Sequence, residues 1–289
     1  MTRPLLRAAA LIIAGLLDGT TEVRAAGEQQ ELQAPGHYRM RLGAFEITAL
    51  SDGTIPAGAS VNGYLINTGK QLLLIDTGAG TLLGPGLGKL VDNLRAAGFQ
   101  PEQINEIYIT DMHPADIGGL LSQRKAVFPN ALVRAFRPEA QHWLAKSSMA
   151  AAPIEERQQF AQVAASLKPY IAAGRLQTFD DEVELAPGIR ALPGAGHLLG
   201  QTSYAAQSGR EKIVFCGEAE RWGANQVQAA LLVTRFDEDP ATAVAGRTAL
   251  FKDIATHGYW VAGANLPFPG IGHLRANGHG FKFVPISSP

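Results

Sequence analysis

The stretch from Ile107 to Leu120, IYITDMHPADIGGL, constrains this chain more than any other. Its apolar start predicts a short buried strand. The chain then breaks into a segment carrying Asp111, His113 and Asp116, and Gly118-Gly119 lets a helix begin close against it. A strand ending in a group of potential metal ligands is a site on a rigid support.

Around that stretch the bulk numbers are permissive. At 289 residues, of which 46% are apolar, the chain can bury a full core. With 25 basic against 26 acidic residues, nothing favours nucleic acid or an anionic membrane as a partner. Arg3 and Arg7 lead into Leu11–Leu17, and Val23-Arg24-Ala25 gives a small-residue cleavage pattern. Residues 1–26 are therefore expected to be a secretory signal peptide and 27–289 the mature domain, periplasmic or secreted. The apolar run is too short to span a bilayer comfortably, and Arg3 and Arg7 are not adjacent as a twin-arginine signal requires. The single cysteine, Cys216, excludes an internal disulfide; ending an apolar strand, it reads as a small buried hydrophobe.

Alternation predicts antiparallel strands over 37–42 and 44–50, with Ser51–Thr54 as a turn, and a second hairpin over 61–67 and 71–75. Leu72–Ile75 is apolar without interruption, as a strand covered on both faces should be. Helices are expected over 87–97, 138–146, 154–172 and 242–257. Further strands fall at 131–136, 177–179, 184–185, 189–192, 202–207, 212–216, 259–262 and 280–286. Strand pairs alternating with helices imply two packed sheets with helices outside, a single-domain α/β protein of the αββα sandwich type. Phosphate-loop, dinucleotide-turn and nucleophile-elbow motifs are absent.

The framing residues Thr110, His113, Gly118, Gly119 and Leu120 resemble the T-H-x-H-x-D-H-x-G-G-L pattern of the metallo-β-lactamase superfamily. The chain is most similar to its secreted methyl parathion hydrolase and lactonase branch. Gly196–Tyr204 resembles the family turn G-H-T-P-G-H-T-S-Y, and Gly263–His273 resembles G-A-H-L-P-F-P-G-I-G-H. The resemblance implies the αββα fold and hydrolysis of a small ester, lactone or organophosphate by metal-activated water.

Residue by residue, the resemblance puts the first metal on Asp111, His113, His197 and Glu218. Two imidazoles and two carboxylates make this a harder set than the family's own, suited to one Zn, Mn or Fe ion. The second site would draw on Ala115, Asp116, Glu218 and Asn265. Alanine supplies no donor and an amide is a weak one, so a second metal is not expected. Asp116 is then the candidate proton acceptor, and Asp76 is expected to accept hydrogen bonds that fix the nearby loop. His273 and His279 read as structural or surface residues, while Arg221 and Trp222 are candidates for lining the pocket. The short Ile55–Ser60 segment replaces a longer insertion in the branch and should open one wall. Two other readings stay open: a catalytically silent, metal-free binding protein using the same cleft, and a mononuclear iron enzyme consuming dioxygen.

Overall fold

The computed structural model describes residues 36–55, 58–193, 201–217, 240–278 and 280–286. In chain order the first half runs β1 (His37–Leu42), β2 (Phe45–Thr54), β3 (Ser60–Asn67), β4 (Leu72–Ile75), α1 (Leu90–Ala96), β5 (Glu106–Tyr108) and α2 (Pro114–Ile117). It continues through a small ribbon of β6 (Leu121–Ser122) and β7 (Lys125–Ala126), then β8 (Leu132–Phe136), α3 (Arg137–Leu144), α4 (Lys146–Ala151), α5 (Arg157–Ala172) and β9 (Leu176–Phe179). The second half comprises β10 (Val183–Ala186), β11 (Ile189–Pro193), β12 (Thr202–Ser208), β13 (Glu211–Phe215), α6 (Pro240–His257), β14 (Trp260–Ala262), β15 (Ile271–Asn277) and β16 (Gly280–Pro285).

Among the described residues these strands form two seven-stranded sheets, ordered β1-β2-β3-β4-β5-β8-β9 and β10 through β16 in sequence. The first sheet is antiparallel through β4 and parallel from there, with helices in the crossovers. In the second, only the β13–β14 pair is parallel, and α6 lies in that crossover. No helix among the described residues is long and apolar enough to cross a membrane.

Among the described residues, side-chain alternation sorts most of the buried apolar groups into three large cores and hence four layers, with a small fourth cluster at Val61, Ala79 and Leu87. Leu72 and Leu74 face α1 and α5, packing with Leu90, Leu94, Val163 and Leu167. Leu73 and Ile75, on the other face of β4, join Tyr204, Ile213 and Phe215 between the sheets. Beyond the second sheet, Val214 and Val261 pack against Phe251 and Ile254 of α6. The uninterrupted apolar run of β4 is therefore sealed on both faces, as its sequence implied, and the αββα sandwich is the observed architecture.

Three local expectations are corrected. Ser51–Thr54 is not a turn but the continuation of β2, which shifts register between Ser51 and Gly53 and still pairs Thr54 with Ser60. The Asp-Gly pair serves a bulge here: Gly53 sits at φ 128, where a Cβ would stand 2.1 Å from the Gly86 carbonyl oxygen. In the motif, the α-helical turn α2 precedes Gly118-Gly119, and the glycines themselves open only a single 3-10 turn, Gly118–Leu120. Finally, β15 was not anticipated, because its polar end, Arg275-Ala276-Asn277, interrupts the apolar alternation.

Candidate active site

Parallel pairing of β4 with β5 sets Ile75 beside Tyr108, so the residues leaving the two strands emerge together. The first of them, Asp76, adopts φ 55, a left-handed conformation that Asp tolerates better than most residues. There its carboxylate accepts the Thr110 backbone N–H at 2.9 Å and the Thr110 hydroxyl at 2.7 Å. This is the loop-fixing role read from the sequence. Burial pushes the Asp76 carboxyl up to about 7, against the pull of both Thr110 hydrogen bonds and with help from the Asp111 charge.

Next along the chain, Asp111 is fully buried. Its Oδ1 accepts the His113 backbone N–H at 3.1 Å and lies 2.5 Å from His113 Nδ1. The short loop thus curls so that acid and imidazole face each other, an Asx-type turn. Against them packs a group the sequence did not single out: Glu139, in the first turn of α3 and 1% exposed. Its Oε1 accepts the Met112 backbone N–H, and its carboxyl lies against that of Asp111. Burial, then the Asp111 charge, hold Glu139 well above the usual carboxylate range. One turn further along α3, Trp143 meets the His113 ring edge-on with centroids 5.3 Å apart.

Asp116 lies on α2 and is also buried. Its backbone oxygen accepts both the Thr77 N–H at 2.7 Å and the Thr77 hydroxyl at 2.9 Å, docking α2 onto the loop that follows β4. That loop is anchored from behind by Asp52, whose carboxylate accepts the N–H groups of Ala79, Gly88 and Leu90 at 2.9–3.1 Å. Burial raises the Asp52 carboxyl, and these donors oppose the rise.

From the second sheet, the Thr202 N–H donates to the Thr110 oxygen at 2.9 Å and the Tyr204 hydroxyl to the Ile109 oxygen at 2.7 Å. Gly217, at φ 59, lies so near Thr110 that a Cβ would stand 2.8 Å from its hydroxyl. This left-handed residue ends the strand alternation: Cys216 stays with Val214 in the α6-side core, where burial pushes its thiol up to about 12. The Ala264 N–H donates to the Gly217 oxygen, and Asn62 Nδ2 to the Leu266 oxygen, bringing the segment that bears Asn265 to the same edge. Asn265 is 8% exposed, and its Nδ2 has no partner among the described residues.

The structure therefore brings Asp111 and His113 together and places Asp116 on the adjoining turn. His197, Glu218, Arg221, Trp222, His279 and residues 1–26 lie outside the described residues. Among the described residues no three His, Cys, Asp or Glu side chains form a group able to hold a metal ion. A carboxylate and an imidazole on one loop are donors that a divalent ion takes, so the described half suits such an ion only when completed from elsewhere in the chain. His273 is structural: half-buried, its ring packs against that of Trp260 at a tilt of 33°, centroids 3.9 Å apart, with Nδ1 3.2 Å from the Tyr259 oxygen. Glu139 was missed because an acid in a helix's first turn ordinarily signals solvated capping.

The sequence model of the metallo-beta-lactamase superfamily matches residues 57–239. The chain belongs to this superfamily. Among solved structures it resembles the hydrolase AbOPH of the beta lactamase superfamily, with 31% identity and a TM-score of 0.78 over 89% of this chain and all of that one. It also resembles AidC, a dizinc quorum-quenching lactonase solved with the product N-hexanoyl-L-homoserine. Here identity is 25% and the TM-score 0.76, over 88% of this chain and 98% of that one. A probable metal-dependent hydrolase from Staphylococcus aureus, 18% identical with a TM-score of 0.65 over 78% of this chain and 91% of that one, shares the fold. Among curated protein sequences the chain finds no match.

Proposed function

We propose that this superfamily member is a hydrolase of a small ester, lactone or organophosphate, of the secreted methyl parathion hydrolase and lactonase branch, with an altered centre holding at most one divalent ion. The observation that carries the reading is the 2.5 Å approach of His113 Nδ1 to Asp111 Oδ1, on the loop where the superfamily motif lies. The 31% identity to a hydrolase over most of the chain supports it. Asp111, His113, His197 and Glu218 would hold the ion, Zn, Mn or Fe. When bound it would supply Lewis acidity and a water of lowered pKa. Asp116 takes the proton, Trp143 holds the His113 ring, and residues 1–26 direct the chain to the periplasm or outside the cell.

Elemental analysis of the purified protein after incubation with Zn²⁺, Mn²⁺ or Fe²⁺ tests this, run beside assays on an ester, a lactone and a phosphotriester. One ion per chain with metal-dependent hydrolysis is the expected result. A chain that takes up no stoichiometric metal and hydrolyses none of the three overturns the reading.

A second reading, a metal-free binding protein, has its own support: Ala115 carries no donor, and the Asp111 carboxyl is engaged by Glu139. It predicts a melting temperature that rises with small hydrophobic esters and is indifferent to metals and chelators.

A further inference from the structure

We infer that Glu139 is the positioning residue of this site: its buried carboxyl holds the Asp111–Met112–His113 segment in the shape that brings Asp111 and His113 together. The topology explains how it comes to be there. β8 is the parallel neighbour of β5, and the Ile109 N–H donates to the Arg134 oxygen at 3.0 Å, so the first turn of α3 stands beside the end of β5. From that turn Glu139 accepts the Met112 N–H, and its carboxyl lies against that of Asp111.

Trp143, four residues later, lies on the same helix face and meets the His113 ring. One face of α3 therefore grips three consecutive residues of the motif. An ordinary core position there would take Leu or Met at no desolvation cost, whereas a buried carboxyl is costly unless its hydrogen bonds are made. At 1% exposure Glu139 bears that cost, and its hydrogen bond goes to the Met112 N–H, the residue before His113.

The test uses the full chain with Glu139→Gln, which keeps an acceptor for Met112 and offers an N–H to Asp111, and Glu139→Leu, which fills the space without either. Amide exchange at Met112 and the imidazole nitrogen shifts of His113 are read by NMR, and zinc affinity by competition with a chelator. In Glu139→Leu the Met112 amide should exchange about tenfold faster. The His113 shifts should lose the signature of Asp111, and zinc should bind about 10–100-fold more weakly. Glu139→Gln should stay close to the wild type in all three. Should Glu139→Leu not fold, Glu139→Asp, which withdraws the carboxyl by one methylene, should show the same losses.

Unchanged Met112 exchange and His113 shifts in Glu139→Leu, or in Glu139→Asp if that variant decides, overturn the inference and leave Glu139 as core filling. The zinc measurement alone rests on the proposed function. A wild type that binds no zinc counts against that function, while the NMR readouts still decide the role of Glu139.

Discussion

Gly119 packs so tightly on Thr77 that a Cβ added to it would stand 2.0 Å from the Thr77 carbonyl oxygen. Gly118 is in the same position against Ala79, at 2.1 Å. The motif glycines are thus required by the closeness of two backbones, and that closeness is what lets the Asp116 oxygen receive the N–H and hydroxyl of Thr77. Backbone oxygens cannot swing aside as a side chain can. Gly119→Ala should therefore cost about 3 kcal/mol, the upper end of the overpacking range. Urea denaturation measures it, and a loss below that of an ordinary surface substitution would show that the two loops separate easily.

The buried Asp76 gives the stability a pH dependence whose sign is fixed. Its carboxyl titrates near 7 in the folded chain against an ordinary value of 3.8, so between those limits the folded state holds the proton that the unfolded state has lost. Stability from this group is full below about pH 4 and falls as pH rises through about 7. Asp76→Asn keeps an acceptor for the Thr110 N–H and has no proton to lose. Unfolding free energy should drop less between pH 5 and pH 8 in the variant than in the wild type. Asp52, raised by burial, contributes alike to both proteins and cancels from the comparison, whereas Glu139 is raised by burial and in part by the Asp76 charge, so its share shrinks in the variant and adds to the same difference. Equal slopes would mean that Asp76 is ionised throughout.

Cys216 offers a check on the second sheet. Its thiol is 8% exposed and pushed up to about 12 by burial, so at pH 8 almost none of it is the reactive thiolate. A disulfide reagent should leave the native protein untouched and titrate one thiol after denaturation. Prompt reaction of the native chain would show that Cys216 does not lie against Val214 and Phe251.

What the sequence disclosed, and what it withheld, follows from the range of the interactions. Leu72–Ile75 announced a doubly covered strand because alternation and its absence are local signals, and Asp76 could be assigned a supporting role from its place after that run. Asp52-Gly53 pointed to a turn, since the same two residues serve a turn or a bulge and only the pairing of Thr54 with Ser60 distinguishes them. Glu139 carried no local mark. Its importance arises when α3 is laid beside the end of β5, a contact that the order of strands in the sheet decides. For the ligand set, Asp111 and His113 do meet, while His197 and Glu218 fall outside the described residues.

The sharpest prediction rebuilds the superfamily pattern on this scaffold. Asp111→His, Ala115→Asp, Asp116→His, Glu218→Asp and Asn265→His together restore the donors that the resemblance assigns to two metals. The framing that would receive them is in place: Asp76 fixes Thr110, Thr77 docks α2, and Gly217 brings its segment against Thr110. Glu139 would then stand behind the imidazole introduced at 111, and a carboxylate accepting the far N–H of a metal-bound imidazole is the usual outer support. The five-fold variant should therefore take up two zinc ions per chain where the wild type takes at most one, as elemental analysis after dialysis would show. Adding Glu139→Leu to it should weaken zinc by about tenfold or more. If the five-fold variant folds with an unchanged circular dichroism spectrum and still holds no second ion, the loops bearing residues 197 and 218 do not converge on Asp111 as the superfamily pattern requires.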